Sequence, residues 1–492
     1  MKVLFAASES VPFCKTGGLA DMVGALLPAL KQKRHDVRLV LPRYRGISPE
    51  KFGLKRLPHP LHIPLGDTHE RVVLWEGRLA RHTPVYFVDC PKYFDREDLY
   101  RDTDGSDYAD NDERFVLFSR AVLETAKAVD FRPDVVHCHD WQTGLVPALL
   151  QTVYRYDGFF LPTASLFTVH NIAYQGQFPK NTIFLAGFSW ADFTPDRLEY
   201  YDQVNFLKAG LVYAEQLSTV SPAYAQETLL SPEFGRGMEG ILRLRAADYH
   251  GVLNGLDEKE WDPARDRHLV RRFTAARPEA RAECKADLQR AARLEPDPAA
   301  PLFGLVSRLD PQKGIDMVLD CIEAFLTDGA QFVALGQGGK EYQAGLEKLA
   351  DSYPGRVRYS SDFDETLAHK IYGGCDLFLM PSRFEPCGLA QMIALRYGAV
   401  PVVTPTGGLL DTVPPVDTSL AKGLGFVATS PEPGPLHDAM ARAVELYRDR
   451  PDAWRALVKR GMSSRFGWSR SVDKYVEIYR AAAARKADSL SL

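Results

Sequence analysis

Residues 252–266 read VLNGLDEKEWDPARD. Asn, Gly, Asp and Pro crowd this stretch and the apolar rhythm on either side of it stops, which is the composition of a hinge and not of a core element. On its amino-terminal side, short β-branched or apolar runs recur at intervals that leave room for a helix: VLFAA from Val3, VRLVLP from Val37, VYFVD from Val85, DVVHC from Asp134, LFTVH from Leu166 and LSTVS from Leu217. A second set follows: FGLVSRL from Phe303, FVALG from Phe332, VRYSS from Val357, LFLMPS from Leu377, AVPVVT from Ala399 and GFVAT from Gly425. Such runs, many ending in a polar or glycine-containing turn, predict βα repeats feeding parallel sheets. The expected architecture is therefore α/β, with two Rossmann-like doubly wound domains, residues 1–250 and 267–467, facing across a cleft and joined by a hinge at 251–266. After Trp468, the segment SVDKYVEIYRAAAARKA places Val472, Tyr475, Val476, Ile478 and Tyr479 at helical spacing. Residues 468–492 are expected to form an amphipathic helix that packs back on the first domain.

A chain of 492 residues is too long for one ordinary core, in keeping with two large domains. Hydrophobic residues at 45% and charged residues at 25% are the balance of a soluble globular protein, not of a disordered or membrane chain. No run of about eighteen apolar residues occurs, so no span of a bilayer is expected. MKVLFAASES carries one lysine and a short apolar run before turning polar, which predicts a first strand and not a signal peptide. A net charge of −4, with both signs mixed along the chain, points away from nucleic acid as a partner. Seven cysteines without framework spacing predict free thiols and a cytoplasmic location.

Doubly wound domains bind ligands at the carboxyl ends of their strands, so chemistry is sought there. The first strand is followed by CKTGGLADMV, residues 14–23, where Gly17 and Gly18 remove every Cβ from the loop beside Lys15. Two readings stand: close approach of an anion, or a tight strand-to-helix connection with a solvated lysine. Further strand ends carry His137, His139 and Asp140 in HCHDW, His170 and Asn171 in TVHNIAYQG, Arg308 and Lys313 in SRLDPQKG, and Arg383 and Glu385 in PSRFEPCG. Pro311 forces a turn between Arg308 and Lys313 that can aim both cations one way. With Lys15 they would neutralise a diphosphate, and fixed cations in a dry cleft stabilise a departing nucleoside diphosphate. Alternatively they are surface or capping charges. TPTGGLLDTV, from Thr404, adds a second glycine pair opening a helix whose N–H groups would cradle an anion. His170 would touch a sugar hydroxyl or serve as a structural hydrogen-bonder. Glu385 would bind sugar hydroxyls or balance the cations, or simply pair with Arg383.

Metal-like patterns do not extend to ligand sets. DTDGSD, from Asp102, lacks the offsets of a calcium loop and reads as a polar loop, and His137 and His139 share one strand face without further ligands spaced nearby. No required metal is expected. The glycines around Gly336 make no dinucleotide fingerprint, for want of an acidic strand end about twenty residues on.

In combination, KTGGLADMVGAL, HDW, TVHNIAYQG, NGLD, SRLDPQKG and PSRFEPCGLAQ with the following TGGLLDTV resemble bacterial glycogen synthases and plant starch synthases, in order over nearly the whole chain. The resemblance implies a GT-B fold and a glycogen synthase reaction: retaining, metal- and cofactor-free transfer of glucose from ADP-glucose to the 4-hydroxyl of an α-1,4-glucan. It implies that Lys15, Arg308 and Lys313 hold the diphosphate, that Asp21 and His170 contact the donor, that Glu385 is the essential carboxylate, that Asn254 lies near the donor, and that Gly18 and Gly408 allow backbone approach to it. The chain departs from that pattern at Gln142, where related enzymes often have His; at Phe363, where Tyr is common; at Ala390, where Thr is common; and at Arg34, where a Gly commonly ends the first helix. The alternatives are a GT-B transferase using UDP-glucose or another acceptor, and a non-catalytic glucan-binding scaffold.

Overall fold

The computed structural model describes residues 1–362 and 364–491 and divides into two compact units. The first comprises Met1–Gly255 with Trp468–Leu492; the second is Leu256–Gly467.

In the first unit the strands Tyr249–Gly251, Gln216–Thr219, Ala164–Val169, Val135–His139, Lys2–Ala6, Asp36–Pro42 and Thr83–Asp89 lie side by side in that order, all parallel. The interior strands are buried on both faces because helices cover both sides of a parallel sheet, which is why they read in the sequence as unbroken apolar runs. Beyond Thr83–Asp89 the sheet continues antiparallel through Thr68–Leu79, which pairs with Leu61–Leu65 and Lys55–Arg56. The apolar runs did not anticipate this hairpin, although Gly66–Asp67 at its tip is a turn signal and Gly66 takes φ +58°. Nor did they anticipate the three-stranded antiparallel sheet of Glu199–Tyr200, Gln203–Asn205 and Gln177–Pro179, whose strands are too short to show a period.

The terminal helix spans Ser469–Leu490 and buries Val472, Tyr475, Val476, Ile478 and Tyr479 within the first unit. The Tyr479 hydroxyl lies 2.9 Å from Nδ1 of His137 on the Val135–His139 strand.

The second unit is built on six parallel strands in the order Val357–Ser360, Gln331–Leu335, Leu302–Val306, Leu377–Met380, Val400–Val403 and Phe426–Val427. A buried ion pair ties its elements: Lys285 Nζ lies 2.7 Å from Asp376 Oδ2, and donates to the Ala300 carbonyl at 2.6 Å and the Pro298 carbonyl at 3.0 Å. The same Asp376 oxygen accepts the Leu302 N–H at 3.0 Å, so the charge is paired and its lone pairs are used. Among the described residues no helix is long and apolar enough to cross a membrane.

The helix Gly18–Gln32, which follows the Lys15 loop, ends in a Schellman motif: His35 N–H donates to the Leu30 carbonyl at 3.3 Å and Arg34 N–H to the Lys31 carbonyl at 3.0 Å. Arg34 takes φ +67°, a conformation in which its Cβ is crowded. The expected effect of Arg34→Gly is a stability gain of about 1 kcal/mol, read as a higher urea midpoint at unchanged slope. Lys285→Met, by leaving Asp376 uncompensated, should cost about 3–5 kcal/mol on the same assay.

Candidate functional site

Lys15, Gly18, Asp21, His170 and Asn254 belong to the first unit; Arg308, Lys313, Glu385 and Gly408 belong to the second.

In the first unit, the loop after Lys2–Ala6 is held from beneath by Glu9, a buried carboxylate absent from the residues singled out above. It accepts hydrogen bonds from the Thr16 amide, from Thr16 Oγ1 at 2.6 Å and from Gly17 N–H at 3.3 Å, and the Tyr100 hydroxyl closes on it at 2.7 Å. Its partners in the loop lie only seven and eight residues downstream, so an acid at a strand end just before a glycine-rich loop was the available signal. A Cβ placed on Gly17 or Gly18 would meet nothing, and Gly17 has an ordinary extended backbone. The packing of this unit therefore does not require either glycine, which favours close approach of a ligand over a tight connection as their purpose. Lys15 Nζ lies 2.7 Å from Asp21 in the first turn of the following helix, with the lysine half exposed. Burial pushes the Asp21 carboxyl up, and the lysine partly offsets that.

His170 ends its strand against a second strand end. The register pairs His139 with Thr168, which carries the His139 and His170 rings together: His139 Nδ1 lies 3.1 Å from His170 Nε2. Asp140 completes the junction, accepting the His170 N–H at 2.7 Å while its own N–H donates to the Thr168 carbonyl. It does so at φ +55°, a strained conformation for a residue with a Cβ. Burial pushes the Asp140 carboxyl up to about 7, against the lowering effect of the His170 and Asn171 amides. Burial also lowers His170 to about 3 and drives His137 and His139 well below the ordinary range, so all three rings are neutral at pH 7. The His-x-His pair makes hydrogen bonds: His137 is taken by Tyr479 and, at 2.6 Å, by Thr168 Oγ1. Asn254 is buried with no hydrogen-bond partner for its Oδ1.

In the second unit, Pro311–Lys313 forms a single 3₁₀ turn closed by Gly314 at φ +64°, where a Cβ would strike the Pro381 carbonyl. That turn delivers Lys313 Nζ to 2.5 Å from Glu385 Oε2, which also accepts from Ser382 Oγ at 3.0 Å. Glu385 is only 5% exposed. The alternative pairing with Arg383 is overturned: Arg383 turns away to a bidentate bond with Asp316, at 2.8 and 2.5 Å. Arg308 is half exposed, with Asp310 at 3.4 Å. Gly408 does not cradle an anion through its N–H as the glycine pair suggested. That N–H donates to the Glu385 carbonyl at 3.0 Å and the next, of Leu409, to the Thr406 carbonyl at 3.1 Å. Gly408 instead lets the chain pass within touching distance of Cys387, where a Cβ would lie 2.2 Å from the carbonyl oxygen. It thus helps to set Glu385.

Of the departures from the family pattern, Gln142 is buried with Oε1 unpartnered, Ala390 begins the helix Ala390–Arg396, and Phe363 lies outside the described residues. DTDGSD is an exposed turn in which Asp104 accepts from Ser106. Among the described residues His268, Glu365 and His369 hold possible metal-ligating atoms within 4.8 Å of one another. Both histidines have other partners: His369 Nδ1 is bound to Asp266 at 2.6 Å, His268 meets Thr366 and Arg267, and the His369 ring is stacked on Trp261 at 4.4 Å.

Residues 2–244 match the family model described as starch synthase catalytic domain, and residues 289–457 that described as glycosyl transferases group 1. The chain is 46% identical to the glycogen synthase of Elusimicrobium minutum, over 98% of this chain and 99% of that one, and 44% identical to the glycogen synthase of Syntrophotalea carbinolica, over 98% and 99%. The structure superposes on the catalytic domain of starch synthase IV from Arabidopsis thaliana bound to ADP and acarbose with a TM-score of 0.90, at 33% identity over 98% of this chain and 99% of that one.

The buried rings set a pH dependence. A neutral His170 has a folded pKa of about 3 against about 6.5 unfolded, so the unfolded chain binds more protons below pH 6.5 and stability is lost as pH falls. Asp140 has the opposite sign: with a folded pKa of about 7 against about 3.9 unfolded, it adds stability as pH falls from 7 to 4. Denaturation midpoints measured from pH 7.5 to 4.5 should decline, and Asp140→Asn, by removing the opposing contribution, should steepen the decline. Glu9→Leu, which removes the one acceptor shared by the Thr16 and Gly17 amides, is expected to lower turnover about 10-fold with an unchanged urea slope.

Proposed function

The chain belongs to the glycogen and starch synthase family of glycosyltransferases, with the GT-B fold the motifs implied, and on that premise we propose that it transfers glucose from ADP-glucose to the non-reducing 4-hydroxyl of an α-1,4-glucan, releasing ADP with retention. The carrying observation is the Lys313–Glu385 pair: a lysine and a buried carboxylate at 2.5 Å, set by a proline turn and a glycine that tolerates no side chain.

The reaction needs three things from these residues. Negative charge grows on the diphosphate as the glycosidic bond breaks, and Lys15, Arg308 and Lys313 supply fixed positive charge to it, each now held by an aspartate or glutamate that a phosphate would replace. The sugar becomes cationic at the same moment, and a neutral His170 beside it adds no opposing charge. Glu385 keeps Lys313 aimed while it waits and, once phosphate takes the lysine, is free to accept a hydroxyl of the glucose. Retention then follows by front-face departure, in which the leaving diphosphate oxygen helps to take the proton of the acceptor 4-hydroxyl. Double displacement would need a carboxylate below the sugar, and this reading puts His170 in that neighbourhood. Because the cations carry the charge, no metal is required. Cytoplasmic residence, where glucan and sugar nucleotide meet, belongs to the same proposal.

The test is ADP release from ADP-glucose with and without glycogen in EDTA, beside UDP-glucose. Glycogen-dependent release is expected, falling at least about 100-fold in Glu385→Ala and in Lys313→Ala. Preference for UDP-glucose would move the donor and keep the mechanism. Glycogen binding with no turnover on either donor would overturn the synthase reading in favour of a scaffold.

A further inference from the structure

We propose that His139 is a positioning residue that holds His170 as its Nδ1–H tautomer, so that His170 offers a hydrogen-bond donor, not a lone pair, at the one ring nitrogen left to meet a ligand. The contact between His139 Nδ1 and His170 Nε2, 3.1 Å, contains one hydrogen between two nitrogens. Two arrangements satisfy it. In the first, His139 donates from Nδ1, its Nε2 is bare, and the hydrogen of His170 must sit on Nδ1. In the second, His170 donates from Nε2, and the hydrogen of His139 must sit on its own Nε2.

The surroundings of His139 decide between them. Its Nε2 is buried and has no hydrogen-bond partner. The second arrangement therefore strands an N–H donor in the interior, whereas the first leaves only a bare ring nitrogen, and buried donors without acceptors are the rarer and costlier defect. No third arrangement with an extra proton competes, because His139 is packed against the His137 ring at 4.1 Å and the Phe5 ring at 5.5 Å, with no carboxylate bonded to either of its nitrogens. Burial independently keeps both rings uncharged. His137 cannot take over the task, since Tyr479 and Thr168 occupy both its nitrogens. Asp140 fixes the backbone of His170 at the same time, so ring identity and ring position are set by consecutive residues of one strand end.

What this does for the reaction rests on the glucosyl-transfer reading. A neutral N–H donor binds a sugar hydroxyl oxygen without placing a cation beside the sugar as its own positive charge develops. The Nε2–H tautomer would present a lone pair there instead, which can only accept from the hydroxyl and has no hydrogen to donate to its oxygen.

The full-length protein labelled with ¹⁵N-histidine, with the His170 signals assigned by difference against His170→Asn, gives the tautomer directly from its two ring nitrogen shifts. Expected in the wild type are a protonated Nδ1 and an unprotonated Nε2; an Nε2–H form overturns the proposal without any substitution being made. In His139→Leu the single-tautomer signature should be lost and kcat should fall about 10-fold with donor KM changed less than about threefold. His139→Asn, whose amide places a donor near the lost Nδ1, should restore both. A His170 signature unchanged in His139→Leu overturns the proposal even if activity falls. The expected wild-type signature with no turnover on any sugar nucleotide would instead refute the transferase reading and leave the tautomer assignment standing.

Discussion

The register between two neighbouring parallel strands governs the first unit's chemistry. Val135–His139 and Ala164–Val169 pair so that His139 faces Thr168; the first strand ends there and the second one residue later, at Val169. A slip of one residue would turn every side chain to the other face of the sheet. It would part the two rings, take Asp140 off the His170 amide and leave Thr168 without His137. The hydrogen bonds that define the site are thus the same ones that define the strand alignment, and the sheet cannot be loosened there without dismantling the site.

The second unit solves its problem with a different device. Its charged groups come from loops, and loops need stops. Pro311 and the left-handed Gly314 bound the turn that carries Lys313, while Gly408 lets a helix start press on the segment that carries Glu385. Arg383, two residues from Glu385, is drawn to Asp316 and so cannot neutralise it. The carboxylate is left for the lysine. Lys15 and Arg308 likewise each lie beside an acid of intermediate exposure, Asp21 and Asp310, while the partner of Lys313 is buried.

The strands could be read from the amino-acid sequence because parallel strands buried on both faces leave continuous apolar runs. The antiparallel hairpin could not be read from that signal, since its long strand mixes His69, Glu70 and Arg71 with its apolar residues and faces solvent in part. Site residues at strand ends were legible by position alone. What escaped was partnership. Lys313 and Glu385 are far apart in the chain, so the sequence left open whether Glu385 balances that cation or the nearer Arg383, and only the folded turns decide for Lys313; the partners that Glu9 takes in the loop likewise appear only once the loop has folded over it. The left-handed backbone of Asp140 leaves no trace in composition, because only the convergence of two strand ends imposes it.

Tyr479 also fixes an order of events. Its hydroxyl closes the far side of His137, yet it is translated only after every residue of the second unit. While the ribosome is still making that second unit, the first already has its strands but not the helix that seals them. The first unit is therefore completed only by the last residues of the chain, long after its first strand has emerged.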